Sequence, residues 1–420
     1  MSISDMKKNV VDHIYAMKEH AAEVLMELVR RPSVFGNEMG AVSFMKGTLD
    51  AAGLASEIIP LNESIKSHPE YTNYTEEPVW NGRGNLVCDY GGNGKGRSMI
   101  LNAHLDVVPG GTWTEAFEPM RDDNIITGRG SSDDKGGAVA AYLAMKALAD
   151  RKIPLSGRLS MHNVIDEETG GNGTLSLLCD GYTADAAIVT ECTDNVICPS
   201  GCGALWFQLT TTGTSTHTID VDEGISALDK ANQAISLLKD YEKYFVDHCA
   251  DHPYYRDLDH NPNQLCISMI QAGVEPCMMP ECCNVEGGVE FVPYKDIEEI
   301  KKEMRQWLLD KSGPWLRDHF ELRFDKLHNA AYEIPPDDSF VTCIQSVVRD
   351  LGLPDELKGR VSSCDSRLYP RVAHMPVITL GPGMTKNIHT SHEKIRLSRL
   401  LKAAAIYACT AIDWCGVTEK

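Results

Sequence analysis

Three short apolar stretches each run into side chains that can bind a metal ion. Ser98 to Ala103 leads into His104, Arg158 to Ile165 leads into Asp166-Glu167-Glu168, and Ala186 to Thr190 leads into Glu191. Continuous apolar runs of this length are typical of buried parallel strands, and in open α/β sheets the working crevice lies beyond the strands' carboxyl ends. Residues far apart in sequence would therefore converge at one edge of one sheet. Carboxylates gathered there repel one another and lose hydration, which a divalent cation offsets. The pattern predicts a metalloenzyme.

Each motif adds a piece of chemistry. In His104-Leu105-Asp106 the two polar side chains share a face if the strand continues, so the carboxylate could orient an imidazole that binds metal. His-x-Asp alone also occurs as a plain turn at a strand end. Gly128 to Gly137 is a glycine-rich loop that leads into a helix from Ala138 to Ala149 and contains Asp133-Asp134. Walker spacing is absent, and two adjacent aspartates would repel phosphate, which leaves Asp133 better read as a ligand. Glu167-Glu168 is an adjacent carboxylate pair whose members point apart, so one can bind metal while the other moves protons.

The elements that must position these groups fall into three segments: 1–197, 198–329 and 330–420. The first alternates helical and strand patterns, beginning with an amphipathic stretch at Val10, Ile14 and Met17. The second reads strand (Leu205 to Leu209), helix (Ile225 to Phe245), two strands (Leu265 to Gln271, Asn284 to Phe291), helix (Ile297 to Leu316) and strand (Glu321 to Phe324). Its βαββαβ order is that of a split βαβ unit. After Pro335-Pro336 the α/β style resumes, with a helix near Phe340 to Asp350, a strand Pro376 to Leu380 and a last helix after Leu397. The expected fold is thus α/β, a mixed sheet flanked by helices, with an inserted α+β ferredoxin-like lid. A polar loop from Asn62 to Glu77 is expected to be mobile.

At 420 residues the chain exceeds a single hydrophobic core. With 40 Lys+Arg against 60 Asp+Glu, the net charge of −20 opposes binding to nucleic acid or to an anionic membrane. No apolar run approaches the ~18 residues of a membrane span, and the N-terminus lacks the apolar core of a signal peptide, so a cytoplasmic location is expected. The 14 cysteines include two clusters, Cys192/Cys198/Cys202 and Cys277/Cys282/Cys283, but neither contains a CxxC knuckle. They are read as small buried hydrophobes, with Cys192 left open because it follows a proposed ligand.

Taken in order, His104-Leu105-Asp106-Val107-Val108-Pro109, Gly128 to Gly137, Asp166 to Gly171, Glu191 and His389 resemble the motifs of the dinuclear-zinc amidohydrolases typified by acetylornithine deacetylase, succinyl-diaminopimelate desuccinylase and the glutamate carboxypeptidases. The resemblance spans nearly the whole chain. It implies that Asp133 bridges two metal ions, one completed by His104 and Glu191, the other by Glu168 and His389. It further implies Glu167 as general base and Asp106 as the support of His104. His217 resembles a lid histidine that reaches the partner's active site in related dimers and steadies the oxyanion. Arg367, in Cys364-Asp365-Ser366-Arg367, resembles an arginine that receives a substrate carboxylate.

Two positions depart from the family pattern: Glu191-Cys192-Thr193 stands where Glu-Pro-Thr is common, and His389-Thr390-Ser391-His392-Glu393 where His-x-Pro-Asn-Glu is. The second places His392 near His389 as a rival ligand. The expected protein is a homodimeric amide hydrolase with two divalent ions, zinc foremost and cobalt or manganese also served by these ligands, acting on a small substrate that bears a carboxylate. A dipeptidase or carboxypeptidase of the same fold, and a binding homologue without catalysis, are the alternatives.

Overall fold

The computed structural model describes residues 2–73, 80–92, 95–249, 252–256, 258 and 261–418. Among these, a nine-stranded mixed sheet runs in the order Ser56–Pro60, Gly84–Gly91, Arg158–Val164, Met99–His104, Ala186–Val189, Val377–Thr379, Ile197–Gly201, Tyr332–Glu333, with Leu357–Arg360 paired beside Ile197–Gly201. The three strands expected from their apolar runs are adjacent and parallel. Met99–His104 pairs with Arg158–Val164 on one side and Ala186–Val189 on the other, which sets His104 opposite Val164 and Asn102 opposite Val189. That register brings the residues just beyond all three carboxyl ends to one edge.

Helices cover the sheet for a reason visible in their composition. Lys135–Asp150 is buried on nearly every face and rich in alanine, as is Leu397–Cys415, and small side chains let these two helices pack closely together over the sheet. The helix begins three residues earlier than its apolar pattern indicated, because Gly136 and Gly137 are inside it. Gly137 is required there: a Cβ would lie 2.1 Å from Asp134 Oδ1 and 2.4 Å from Thr190 Oγ1.

A second sheet, in the order Gln264–Ala272, Cys282–Phe291, Gly203–Thr212, Phe320–Arg323, has its own core. Leu205, Phe207 and Leu209 alternate inward from the central strand against Leu238, Tyr241 and Phe245 of helix Ala227–Cys249 and Ile300, Met304 and Leu308 of Ile297–Lys311. The expected single helix Ile297 to Leu316 is two: it stops at Ser312, and Pro314, which lacks an N–H, starts a short helix Pro314–Asp318. The expected junction 197/198 falls within Ile197–Gly201, a strand of the large sheet, and 329/330 falls at the end of strand His328–Asn329. In the polar loop, Glu63–Ser67 forms a 3-10 turn, Glu70 is buried, and residues 74–77 lie outside the described residues. Thirteen of the cysteines are described and all are free.

In the second sheet Glu290 carries a buried Oε2 with no hydrogen-bond partner among the described residues, and burial pushes its carboxyl up to about 8. An unfolded glutamate ionises near ~4.3, so between that value and about 8 the unfolded chain sheds a proton that the folded one keeps, and stability falls as pH rises through this window. Glu290→Gln should therefore melt above the wild type at pH 8, with a smaller gain at pH 5.5. Thermal melts at the two pH values check this, and an equal gain at both would contradict the burial argument.

Candidate active site

His104 is the last residue of its strand, and its ring is fixed from behind. Nδ1 lies 2.9 Å from the Asp106 backbone oxygen and 3.5 Å from Asp106 Oδ1. A carbonyl can only accept, so Nδ1 carries the proton and Nε2 presents its lone pair forward. The strand ends at His104, so the Asp106 carbonyl does the close orienting while its carboxylate Oδ2 accepts the Glu168 N–H at 3.0 Å. Asp106 therefore ties the first histidine to the Glu167-Glu168 turn.

Asp133 sits at the centre. Its Oδ1 is 3.1 Å from His104 Nε2, and its Oδ2 is 3.3 Å from His389 Nε2. Glu191 Oε1 lies 3.5 Å from His104 Nε2, and Glu168 Oε2 lies 3.1 Å from His389 Nε2. Two donor sets thus share one carboxylate, each oxygen facing one histidine. A tetrahedral ion about 2.0–2.1 Å from its ligands spaces their atoms roughly 3.3 Å apart, and these separations match that demand. One carboxylate oxygen of Glu167 also lies within 4.8 Å of the nearest donors of His104 and Glu191. The residues present fit a dinuclear centre with nitrogen and oxygen ligands.

Electrostatics point the same way. Burial, then the neighbouring Glu191, holds Glu167 well above the ordinary carboxylate range. Burial raises Glu168 to about 7 against the pull of His389. His389 is itself raised to about 10 by its hydrogen bonds to Asp133 and Glu168. Asp133, although burial opposes its charge, is held below its usual range by the two histidines. So many carboxylates at one buried edge constitute an excess of negative charge that cations would neutralise.

The expected ligands His104, Asp133, Glu168, Glu191 and His389 converge, with Glu167 beside them. His392 is exposed and outside the cluster, so of the two late histidines it is His389 that faces Asp133. His389 adopts φ +58, a left-handed conformation uncommon outside glycine that turns its ring into the site. His217 is not among the converging residues: it is exposed in the second domain, where its ring accepts the Ile219 N–H and its backbone bridges Met278. Arg367, which the resemblance implies would receive a substrate carboxylate, is buried and ion-paired with Glu70 at 2.6 Å.

Several supporting residues, Cys192 apart, were not singled out from sequence. Arg360 pairs with Glu191 Oε2 at 2.9 Å and donates to the Cys192 carbonyl. Glu393 is fully buried, accepts the Ser132 and Asp133 N–H groups, and pairs with Arg129 at 2.6 Å, which fixes the aspartate loop. Its signal was its place at the end of the His389 to Glu393 motif. Arg83 joins Glu38 and Asp166, holding the start of the Glu167 turn. Cys192 is buried, its thiol donating to the Ser132 carbonyl at 3.2 Å, and burial keeps it protonated.

A model described as Peptidase family M20/M25/M40 matches residues 100–413. The chain is similar to an N-formyl-4-amino-5-aminomethyl-2-methylpyrimidine deformylase of Halalkalibacterium halodurans, 28% identical over 349 residues that cover 77% of this chain and 80% of the relative. It is similar to a succinyl-diaminopimelate desuccinylase of Rhodospirillum centenum, 25% identical over 409 residues, 94% of this chain and 97% of the relative. Among solved structures, a tripeptidase from Staphylococcus aureus has the same fold with a TM-score of 0.73 at 21% identity, covering 94% of this chain and 98% of that one. A di-peptidase from Saccharomyces cerevisiae gives 0.74 at 15% identity over 100% of both chains.

Because Asp133 faces both donor sets, Asp133→Ala should lose both metal ions, whereas loss of Glu191 or Glu168 alone should weaken chiefly one. Elemental analysis of the purified variants checks this, and full metal occupancy in Asp133→Ala would contradict a bridging role.

Proposed function

Since the chain belongs to Peptidase family M20/M25/M40 and is a dinuclear metallohydrolase acting on amide bonds, we propose that it removes the acyl group from a small N-acyl amine. The observation that carries this reading is Asp133 facing His104 with one oxygen and His389 with the other, with Glu167 beside them. His104, Asp133 and Glu191 would hold one cation, and Asp133, Glu168 and His389 the other. When bound, the two cations, zinc in this reading with cobalt or manganese compatible with the same donors, would polarise the amide carbonyl and lower the pKa of an attacking water.

The chain's own groups then handle the proton. Glu167 takes it from the water and returns it to the leaving amine, one carboxyl serving both directions. Asp106 keeps His104 in the tautomer that offers Nε2. His217 would donate to the developing oxyanion from the partner subunit of a homodimer, with 198–329 as the lid and dimerisation domain. The second sheet supports that assembly with an open edge strand, Gln264–Ala272, on which Met269 is 63% and Ile270 51% exposed. No described helix is long and apolar enough to cross a membrane, and free cysteines suit the reducing cytoplasm we propose.

The deformylase relative is named for a formamide whose printed name contains no carboxylate, which favours an amine product without a carboxylate. The second reading is an N-acyl amino acid substrate with Arg367 receiving its carboxylate, favoured by the desuccinylase likeness over 94% of the chain. A panel of formamides, N-acyl amino acids and unblocked dipeptides, assayed on metal-loaded protein, separates deacylase from peptidase.

Glu167→Gln should keep its metal and lose about 10²–10⁴-fold in kcat; retained turnover would remove the assigned base. His217→Ala should lower kcat with metal retained, and mixing it with Glu167→Gln should restore part of the activity through hybrid dimers. Mixtures no more active than their parents would place His217 outside the partner's site.

A further inference from the structure

Arg367 lies in the turn Asp365–Arg367, whose neighbouring carboxylate Asp365 contacts Thr174 Oγ1 at 2.5 Å. Its guanidinium is bound to the turn that carries Glu167: Nη2 donates to the Gly170 carbonyl at 2.9 Å, and the Gly170 N–H donates to the Glu167 carbonyl. Nη1 donates to Glu70 Oε2 at 2.6 Å. Each Nη of the fork that would grip a carboxylate thus already has an acceptor, one of them a carboxylate, and Nε has none among the described residues.

Glu70 is held firmly in that position. Its other oxygen accepts Arg371 Nε at 2.6 Å, and its side chain is only 8% exposed. The chain on either side of it is anchored twice. Thr72 exchanges two hydrogen bonds with Asn172, at 3.2 and 2.9 Å, next to the Glu167 turn. The Pro69 carbonyl meets His328 Nε2 at 3.0 Å, at the end of the second domain. A substrate carboxylate reaching for Arg367 would have to displace a buried carboxylate from two arginines, and breaking a buried pair is costly.

We propose that Glu70 is a specificity-determining residue: by holding Arg367 with its own carboxylate it withholds that guanidinium from a substrate carboxylate, so that the site prefers N-acyl amines over N-acyl amino acids. The inference rests on the reading of this site as an amidohydrolase centre. It names the charge class of the substrate, which the metal ligands leave open. Specificity here comes from an internal carboxylate that takes the place of the substrate's own.

The test uses two substrates that differ only by a carboxylate, N-formylphenethylamine and N-formylphenylalanine, on metal-loaded wild type and Glu70→Gln. The wild type should have the higher kcat/KM for the amine, and Glu70→Gln should move the ratio at least about tenfold towards the acid. A wild type that prefers the acid, or a ratio unmoved in Glu70→Gln, overturns the proposal; the wild-type ratio decides even if the variant does not fold. Turnover of neither amide by wild type would fail the amidohydrolase reading instead. Calorimetry with hydrocinnamate and hydrocinnamamide then still decides Glu70, because only the acid should bind about tenfold more tightly to the variant.

Discussion

The arrangement depends on an excess of buried carboxylate at the carboxyl edge of three parallel strands. Asp133, Glu167, Glu168 and Glu191 meet there against two imidazoles, with His104, Asp133 and Glu191 buried and His389 at the open side, 46% exposed. Isolated buried charges cost several kcal/mol each even after relaxation, so such a cluster is a poor way to build a stable core and a good way to hold cations. Buried arginines surround it, one paired with a site carboxylate and two with the carboxylates that hold its loops. Arg360 meets Glu191, Arg129 meets Glu393 and Arg83 meets Glu38 and Asp166, each pair nearly inaccessible to solvent. Every ligand-bearing loop is thereby pinned by a charge pair one step removed from the reacting atoms.

The sheet and its register supply the convergence. Because Met99–His104 lies between the other two strands and runs parallel to both, its end residue is set beside the loops that carry Glu168 and Glu191. The helix Lys135–Asp150, packed across the same sheet, delivers Asp133 from the turn before it. The second domain contributes an independent core and reaches back to the first through His328 and the loop that holds Glu70.

Much of this was legible in the sequence for a physical reason: buried parallel strands leave a continuous apolar run, and a polar residue ending such a run has few uses. His104, Glu168 and Glu191 were read in that way and Asp133 from the glycine-rich loop that carries it, while the role of His389 came from the order of motifs. The compensating charges were not legible. Arg360, Arg83 and Glu70 pair across 169, 45 and 297 positions, and a long-range ion pair leaves no local pattern. The same blindness explains Arg367, where a short motif indicates the arginine but not the carboxylate, far upstream in a polar loop, that claims it. The break before Pro314 was readable in principle, since the proline stands inside the expected helix.

The central claim is that one aspartate carries two cations. Anomalous diffraction from crystals grown with zinc would test it most directly. The account predicts two peaks flanking Asp133, one beside His104 and Glu191 and the other beside Glu168 and His389; a single peak, or peaks that leave Asp133 outside ligand distance, would contradict it.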